Sequence, residues 1–361
     1  MSKNTLLIGT RRGLIVYRRT VGGWEFESEH HLGVPVSYAM ADPRSGKWWV
    51  GLDHGHWGCK LHFSADRGHS WVEVPAPQYP EGSEIDEGKP ASLKYIWVIA
   101  PGLASQPGRL YIGTEPGGLF QSDDEGMTWN LVEALWNHPT RQKGWFGGGR
   151  TYAAIHSILV NPADANHVHV SISVAGTFET RDGGLTWHPR NHGLRADFLP
   201  DPSIEVGQDP HLVAAHPDQF DVMWQQNHCG IFRTTDCAAN WTDITQPNGP
   251  ANFGFGIIAD ERNTEEAWVV PAISDIMRVA IDRALVVCHT TDGGKTWHQQ
   301  RSGLPQEHCY DLVYRHAMDI TGDTLAFGST TGNVYFSENR GGHWNVLSNY
   351  LSDVYSLRFA D

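Results

Sequence analysis

The sequence predicts an all-β fold, a seven-bladed β-propeller whose ring is closed by the C-terminal strand. One eight-residue phrase, Ser/Thr-x-Asp-x-Gly-x-polar-Trp, occurs six times, and its first residues lie 58, 58, 54, 56 and 47 positions apart. Short apolar stretches precede each copy. A unit repeating at this period indicates a propeller or a solenoid. The copies are Ser64–Trp71, Ser122–Trp129, Thr180–Trp187, Thr234–Trp241, Thr290–Trp297 and Ser337–Trp344.

Each residue type in the phrase suits a tight hairpin. The Asp side chain is expected to accept backbone N–H groups two residues on, and the Gly supplies a positive φ without steric cost. The Trp is expected to fill the gap between adjacent sheets. Two copies depart from the pattern, with Ala238 in place of Gly and Asn339 in place of Asp. Ala at a positive φ is expected to be mildly strained, whereas Asn still accepts hydrogen bonds.

These phrases resemble the Asp box, or BNR repeat, of sialidase-like propellers, a family that includes sialidases, sortilin-type receptors, xyloglucan hydrolases and photosystem assembly factors. The chain as a whole is similar to bacterial BNR-repeat proteins described as glycosyl hydrolase or exo-sialidase-like. Three further stretches carry that resemblance: Trp145–Gly149, Gln208–His211 and His308–His316. The resemblance implies that each box lies on the turn between the two outer strands of a blade.

Counting strands gives seven blades. The N-terminus supplies three strands without a fourth, and an orphan strand near the C-terminus is predicted to complete the first blade and remove its exposed edge. The terminal strands are Thr5–Gly9, Gly13–Arg18, Trp24–Glu27 and Val354–Phe359. The predicted innermost strands of the other blades are Ser37–Ala41, Tyr95–Ile99, Ile155–Val160, His211–Ala215, Phe255–Ala259 and Asp311–Tyr314.

Composition places the chain among globular proteins. The repeats predict one domain spanning residues 1–361, although the length alone would allow more. A net charge of −14 argues against a nucleic-acid partner, and no apolar run is long enough to cross a membrane. The N-terminus lacks the pattern of a secretory signal, and five cysteines form no CxxC pair. We therefore expect free thiols and a cytoplasmic location.

Propeller topology predicts that eight of the 20 histidines meet at one mouth, on the face opposite the boxes. Some lie in loops between second and third strands, some in blade-to-blade loops, and two begin innermost strands. In that order they are His54, His56 and His228; His138, His192 and His308; and His156 and His211.

Imidazole binds divalent transition metals and serves as a general acid or base near neutral pH. We therefore predict a metal site formed by His156, His211, His228 and His308. As catalytic groups we predict His156 or His211 as base and Tyr310 as acid, with Asp209 beside them. The alternative is that these histidines are hydrogen-bonded structural residues.

Long loops are expected to shape the same mouth, because loops of a dozen or more residues in a compact domain are often binding loops. Trp145 and Phe146 precede three glycines, which fits either a flap over a ligand or a packed surface loop. The predicted substrate-binding residues are His54, His56, Trp97, Glu115, Trp145, Arg150 and Arg278.

The combined pattern favours binding, and processing by a hydrolase or lyase mechanism, of a small polar or saccharide-like ligand. A noncatalytic ligand- or metal-binding propeller and a protein-assembly scaffold remain alternatives, because one fold hosts many chemistries. Sialidase activity itself is not indicated, since the Arg-Ile-Pro motif of sialidases is absent. The sequence specifies neither the substrate nor the oligomeric state.

Overall fold

The computed structural model describes residues 3–361 and is an all-β, seven-bladed propeller. Each blade is a four-stranded antiparallel sheet whose strands follow chain order from the innermost outward, apart from the first blade. The chain forms two compact units, Met1–Ala39 with His211–Asp361, and Met40–Pro210. Apart from residues at the division, the first unit contains blades 1, 5, 6 and 7 and the second contains blades 2, 3 and 4. One domain spanning the chain stays a prediction.

The seven sheets account for nearly all regular structure. Blades 1 to 4 consist of Thr5–Thr10, Gly13–Thr20, Gly23–His30 and Val354–Ala360; Val36–Ala41, Trp48–Asp53, Cys59–Ser64 and Val72–Val74; Tyr95–Pro101, Leu110–Glu115, Leu119–Ser122 and Asn130–Leu131; and Ile155–Val160, Val168–Ile172, Gly176–Thr180 and His188–Pro189. Blades 5 to 7 consist of Pro210–Ala215, Met223–Asn227, Gly230–Thr234 and Thr242–Asp243; Gly254–Ala259, Ala267–Pro271, Val287–Thr290 and His298–Gln300; and Met318–Thr321, Thr324–Gly328, Val334–Ser337 and Asn345–Ser348.

Loops between the blades, and loops between the second and third strands of blades 2 and 6, carry the few remaining elements. They are a small sheet of Glu84–Asp86 and Lys89–Pro90, the α-helices Glu133–Trp136 and Arg141–Gly144, and the 3-10 helices Gly55–Trp57 and Ile281–Arg283. Within residues 3–361, every helix is too short or too polar to traverse a lipid bilayer.

The C-terminal strand completes the first blade, as predicted. Val354–Ala360 pairs antiparallel with Thr5–Thr10 and becomes the innermost strand, with Leu6 opposite Phe359. Leu6, Ile8 and Phe359 are buried in one core with the side chains of blades 6 and 7. The pairing therefore covers the edge that the first three strands would otherwise expose.

The repeated phrase forms a hairpin staple held by its own side chains. In the first copy the Ser64 hydroxyl donates to the Asp66 carboxylate at 2.8 Å and accepts the Gly68 N–H at 2.7 Å. Asp66 accepts the N–H of Ser70 at 2.8 Å and its hydroxyl at 2.6 Å. The expectation that Asp accepts N–H groups two residues on was wrong: the tight turn brings the fourth residue back over the carboxylate.

Two departures from the phrase behave as predicted. Ala238 is buried and has a φ of 62°, in the left-handed region that a Gly occupies in the other copies. Asn339 retains the staple, because its side-chain oxygen accepts the His343 N–H at 2.9 Å. The turn geometry is thus kept where one residue of the phrase is lost.

The tryptophans of the phrase connect neighbouring blades. The Trp129 indole of blade 3 donates to the Pro75 carbonyl, just after blade 2, at 3.0 Å. The Trp297 indole of blade 6 donates to the Ile244 carbonyl, just after blade 5, also at 3.0 Å. Trp297 is also buried in one core with Trp224 and Ile231 of blade 5, so its ring fills the space between the two sheets as predicted.

One predicted strand was wrong. The innermost strand of blade 7 is Met318–Thr321, and residues 311–314 form no strand. Leu312 and Val313 are buried, so their apolar pattern imitates a strand although they pack as irregular chain. Pairing begins later because Thr321 and Thr324 flank a two-residue turn, Gly322-Asp323, that sets the register.

The boxes predict a sharp loss of stability in acid. Hydrogen bonds from the following Ser or Thr hydroxyl and N–H lower the pKa of Asp66, Asp124, Asp182 and Asp292 from 3.8 to about 2. A carboxyl group whose pKa is lower in the folded than in the unfolded protein stabilises the fold above about pH 4. This stabilisation is lost as the pH falls towards 2. Urea midpoints measured from pH 5 to pH 2 should fall through this window. Replacing these four Asp residues by Asn, the residue that position 339 has naturally, should flatten the dependence of the urea midpoint on pH. The control Asp218→Asn, on an exposed loop, should not flatten it.

Candidate functional site

The innermost strands share a local irregularity that redirects side chains. Register shifts between Ile96 and Val98 and between Ile155 and Ser157 leave Trp97 and His156 in β-bulges. A similar shift after Gly254 in blade 6 involves Phe255. Bulges are frequent beside binding sites because they aim a side chain away from the regular pleat. Three inner strands thus present an aromatic or imidazole ring at corresponding positions.

The second unit contains an aromatic and charged cluster, the Arg150 site, formed by Tyr95, Trp97, Glu115 and Arg150. Tyr95 is paired in register with Glu115, and its ring centroid lies 5.1 Å from that of Trp97. The Arg150 guanidinium carbon lies 4.2 Å from the Tyr95 ring centroid, a cation–π contact. Its Nε donates to the Glu115 carboxylate. Glu115 is buried, while the Arg150 side chain is 39% exposed.

The loop that carries Arg150 is anchored on the same carboxylate. The Tyr152 N–H donates to Glu115 Oε1 at 3.2 Å, and the Lys89 ammonium lies 4.6 Å from the Tyr152 ring centroid. Glu115 therefore holds both the backbone and the guanidinium of residues 150–152. The structure brings together Glu115 and Arg150, two of the predicted substrate-binding residues, and their role in binding stays a prediction.

A second carboxylate lies near the Arg150 site. Burial, together with the Asp53 and Glu115 carboxylates, raises the pKa of the Cys59 thiol to about 12, and Arg150 opposes this shift. Asp53 of blade 2 and Glu115 of blade 3 thus both raise the pKa of the same thiol. Such a thiol is protonated at neutral pH and is a poor nucleophile.

Other predicted substrate-binding residues of this unit differ in their surroundings. His54 directly precedes the short helix Gly55–Trp57, and His56 lies within it, on the predicted loop. His56 is exposed. The Trp145 ring packs 5.3 Å from Phe178, and its indole donates to the Thr140 hydroxyl at 3.3 Å. These contacts favour the packed-loop interpretation of Trp145.

The first unit contains an imidazole and aromatic cluster, the His211 site, formed by His211, His228, Phe253 and Phe255. The His211 ring stacks on Phe255 with centroids 4.6 Å apart and meets the His228 ring edge-on at 5.6 Å. His211 Nδ1 donates to the Gly254 carbonyl at 2.6 Å. His211 is buried and His228 is half-buried.

Charged groups surround this cluster. His228 Nε2 lies 3.6 Å from the Asp275 carboxylate. The guanidinium carbons of Arg278 and Arg315 lie 5.5 and 5.4 Å from the Phe255 ring centroid, and Arg278 also donates to the Asp275 backbone carbonyl. Arg278, a predicted substrate-binding residue, thus lies beside two predicted metal-binding histidines. Arg315 was not predicted as a site residue, because its position depends on the packing of blades 6 and 7.

The remaining predicted catalytic and metal-binding residues belong to both units. His156 is buried in the second unit, with Nδ1 3.1 Å from the Ser157 hydroxyl. Asp209 is buried in that unit and accepts the Val174 N–H at 3.1 Å. His308 and Tyr310 are exposed on the loop before blade 7 of the first unit. One mouth that gathers all these residues stays a prediction.

Two buried carboxylate clusters were not predicted from the sequence. Glu179 pairs with His167 at 2.7 Å and with Arg181 and Arg190 at 2.8 and 2.6 Å. His167, His169 and Glu179 are close enough to hold a metal ion, but any cation would compete with the two guanidiniums on Glu179. The second cluster joins Glu266 to His289 and Arg340. No motif marks either cluster, because its members come from separate strands or turns.

Burial raises the pKa of Glu179. The His167 hydrogen bond, the nearby His169 and the two arginines lower the pKa by more than burial raises it, so it lies below its ordinary value. The arrangement keeps a buried carboxylate ionised and fully hydrogen-bonded, as a structural group requires.

Comparison with known proteins identifies relatives of two kinds. The chain is 24% identical over 271 residues to the oligoxyloglucan-reducing end-specific xyloglucanase of Emericella nidulans, covering 65% of this chain and 30% of that protein. It is 22% identical over 309 residues to the photosystem II assembly protein Ycf48 of a Synechococcus strain, covering 84% and 72%. The chain thus spans about 30% of the length of the xyloglucanase. No family model matches the chain.

Solved structures support the fold. YCF48 bound to a D1 peptide superposes with a TM-score of 0.55 at 14% identity, covering 91% of this chain and 86% of that one. The chain is therefore a seven-bladed propeller related to xyloglucanases and to Ycf48.

Proposed function

We propose that this protein binds a neutral saccharide at the Arg150 site and belongs to the hydrolase type of propeller. The observation that carries this proposal is the half-exposed Arg150 guanidinium, held by a buried carboxylate above an aromatic ring. Saccharide sites combine apolar ring faces with a few fixed polar groups, and Tyr95, Trp97 and Arg150 supply both. The sugar-degrading activity of the xyloglucanase relatives supports the same class of ligand.

The charge of the site favours a neutral ligand. Glu115 balances Arg150, so an anionic sugar gains little net attraction there, and the chain carries a net charge of −14. A neutral sugar can instead offer hydroxyl groups to Glu115 and Arg150 together. Sialic acid is a poor fit for this arrangement.

Hydrolysis at this site requires a second carboxyl group, because glycosidases use an acid and a base or nucleophile on opposite sides of the bond. We propose Asp53 as the partner of Glu115, because Asp53 lies opposite Cys59 in the strand register of blade 2 and both carboxylates raise the pKa of that thiol. The divalent metal predicted from the sequence plays no part in this mechanism.

Binding is tested by calorimetric titration with xyloglucan and cellulose oligosaccharides. Trp97→Ala should weaken binding about 10-fold through loss of aromatic contact area, and Arg150→Lys should weaken it through loss of the fixed guanidinium geometry. Tyr350→Ala, at a residue 95% exposed in the other unit, should have no effect. Release of reducing ends, abolished by Glu115→Gln and Asp53→Asn, would establish hydrolysis.

Other outcomes point elsewhere. Saccharide binding without product release would support a noncatalytic binding propeller. Absence of binding to every neutral saccharide, or equal binding by the Trp97 and Tyr350 variants, would refute the proposed site.

A peptide-binding assembly scaffold is a second candidate. It is favoured by length, because the match covers 72% of Ycf48 but only 30% of the xyloglucanase. Titration with a D1 peptide, alongside the saccharides, separates the two functions.

The compartment also remains a proposal. Cys59, Cys288 and Cys309 have free thiols in the part of the chain that the structure describes. This supports a reducing compartment such as the cytoplasm.

A further inference from the structure

We propose that the saccharide bound at the Arg150 site extends into a second pocket, so that the ligand is an oligosaccharide rather than a single sugar. This inference rests on the proposed function. The second pocket, the Lys60 pocket, has a volume of about 580 Å³ and lies within the second unit. Ligand pockets usually have volumes of about 300–1,000 Å³, so it has room for a short section of a sugar chain. It is lined by Cys59, Lys60, Glu73, residues 74–78 and Leu93.

Two lining residues join the Lys60 pocket to the Arg150 site. The backbone N–H of Ile96, the residue between Tyr95 and Trp97, donates a hydrogen bond to the Cys59 sulfur. Leu93 leads directly into the innermost strand of blade 3, which begins at Tyr95. The pocket and the site therefore share one stretch of backbone, and a linear ligand can pass from one to the other.

The wall of the Lys60 pocket is fixed before a ligand binds. Its residues Pro75 and Pro77 have restricted φ angles. The Pro75 carbonyl accepts the Trp129 indole N–H at 3.0 Å, and the hydroxyl of Tyr79, just after the wall, lies 2.8 Å from the Thr114 hydroxyl. Both partners belong to blade 3, which also carries the aromatic rings of the Arg150 site. A preformed wall lowers the entropic cost of binding.

The chemistry of the Lys60 pocket favours a neutral ligand rich in hydroxyl groups. The Lys60 ammonium donates to the Glu73 carboxylate at 2.8 Å, so the two charges balance, and both side chains are more than a third exposed. An ammonium has three donors and a carboxylate has two acceptor oxygens, which leaves capacity for sugar hydroxyl groups. Val74, Ala76 and Leu93 add apolar surface for the faces of sugar rings.

The test is a calorimetric titration with β-1,4-linked glucose oligomers, from the disaccharide to the hexasaccharide. Wild-type protein should bind the hexasaccharide at least about 10-fold more tightly than the disaccharide. Ala76→Trp fills the pocket and Lys60→Met removes its donor, so each should reduce this gain to less than about 3-fold and leave disaccharide binding unchanged. Two controls should retain the gain: Ala104→Trp on an exposed loop, and Lys47→Met, which breaks an ion pair with Glu125 in the same unit.

Three results would overturn this inference and leave the proposed function standing, provided that Trp97→Ala still weakens binding. They are equal affinity of the wild type for the two oligomers, a gain that survives Ala76→Trp, or equal weakening of both oligomers by Ala76→Trp. If no neutral saccharide binds to the wild type, the proposed function fails and this inference fails with it. Circular dichroism of each variant shows whether it is folded.

Discussion

Replacing Arg340 by Met is expected to lower the free energy of unfolding by about 3–5 kcal/mol, the usual cost of removing one partner from a buried ion pair. Arg340 lies on the box turn of blade 7 and reaches the loop and second strand of blade 6. It pairs with Asp260 at 2.6 Å and with Glu266 at 2.8 Å, and both carboxylates are buried. Without the guanidinium, two negative charges remain buried, and the His289 imidazole remains a hydrogen-bond partner of Glu266.

Methionine retains much of the aliphatic packing of Arg340 at the same positive φ of 58°, so the change isolates the charge. Urea unfolding monitored by tryptophan fluorescence gives the free energy. The matched control is Arg19→Met, since Arg19 pairs with Glu338 at 2.7 Å with both side chains about a third or more exposed. Exposed pairs contribute about 0–1 kcal/mol. Equal losses for the two variants would contradict the role assigned to Arg340.

Replacing Gly126 by Ala is expected to cost roughly 2–5 kcal/mol, from about 1–2 kcal/mol of backbone strain and about 1–3 kcal/mol of overpacking. Gly126 is the glycine of the blade 3 box and has a φ of 81°. A Cβ atom there would lie 2.7 Å from Cη2 of Trp49 on blade 2. Trp49 is buried and cannot move away without disturbing the core of its blade.

The control for Gly126 is Gly82→Ala. Gly82 has a φ of 80°, and a Cβ atom there would meet nothing within 4 Å. Its substitution should therefore cost only about 1 kcal/mol, from backbone strain alone. Unfolding curves of the two variants separate strain from packing. A Gly126 variant no less stable than the Gly82 variant would show that the box does not pack tightly against the preceding blade.

The local features of the fold could be predicted because each is complete within a short stretch. Ser64, Asp66, Gly68 and Ser70 contain the donors and acceptors of one staple, so the phrase itself specifies the turn. The phrase even tolerated Ala238 and Asn339, as expected. Where no such phrase was available, on the inner strand of blade 7, the apolar run of Leu312 and Val313 was mistaken for a strand.

The candidate sites could be predicted only in part. Glu115 and Arg150 were both assigned to a binding site, as were His211 and His228, because topology indicates which loops neighbour one another. Asp275 and Arg315 were missed, since their proximity to His228 and Phe255 depends on side-chain packing between blades. The bulges that redirect Trp97 and His156 also carry no sequence signal.

The sequence by itself determined the number of blades, the hairpin between the outer strands of each boxed blade and the completion of the first blade by the last strand. These follow from repeats and from strand pairing, which depend on short-range hydrogen bonds and alternating apolar residues. Only the tertiary structure decided which charged and imidazole groups meet. Arg340 lies 80 residues from Asp260 in the chain, and their ion pair exists because the packing of two blades buries both groups in one place.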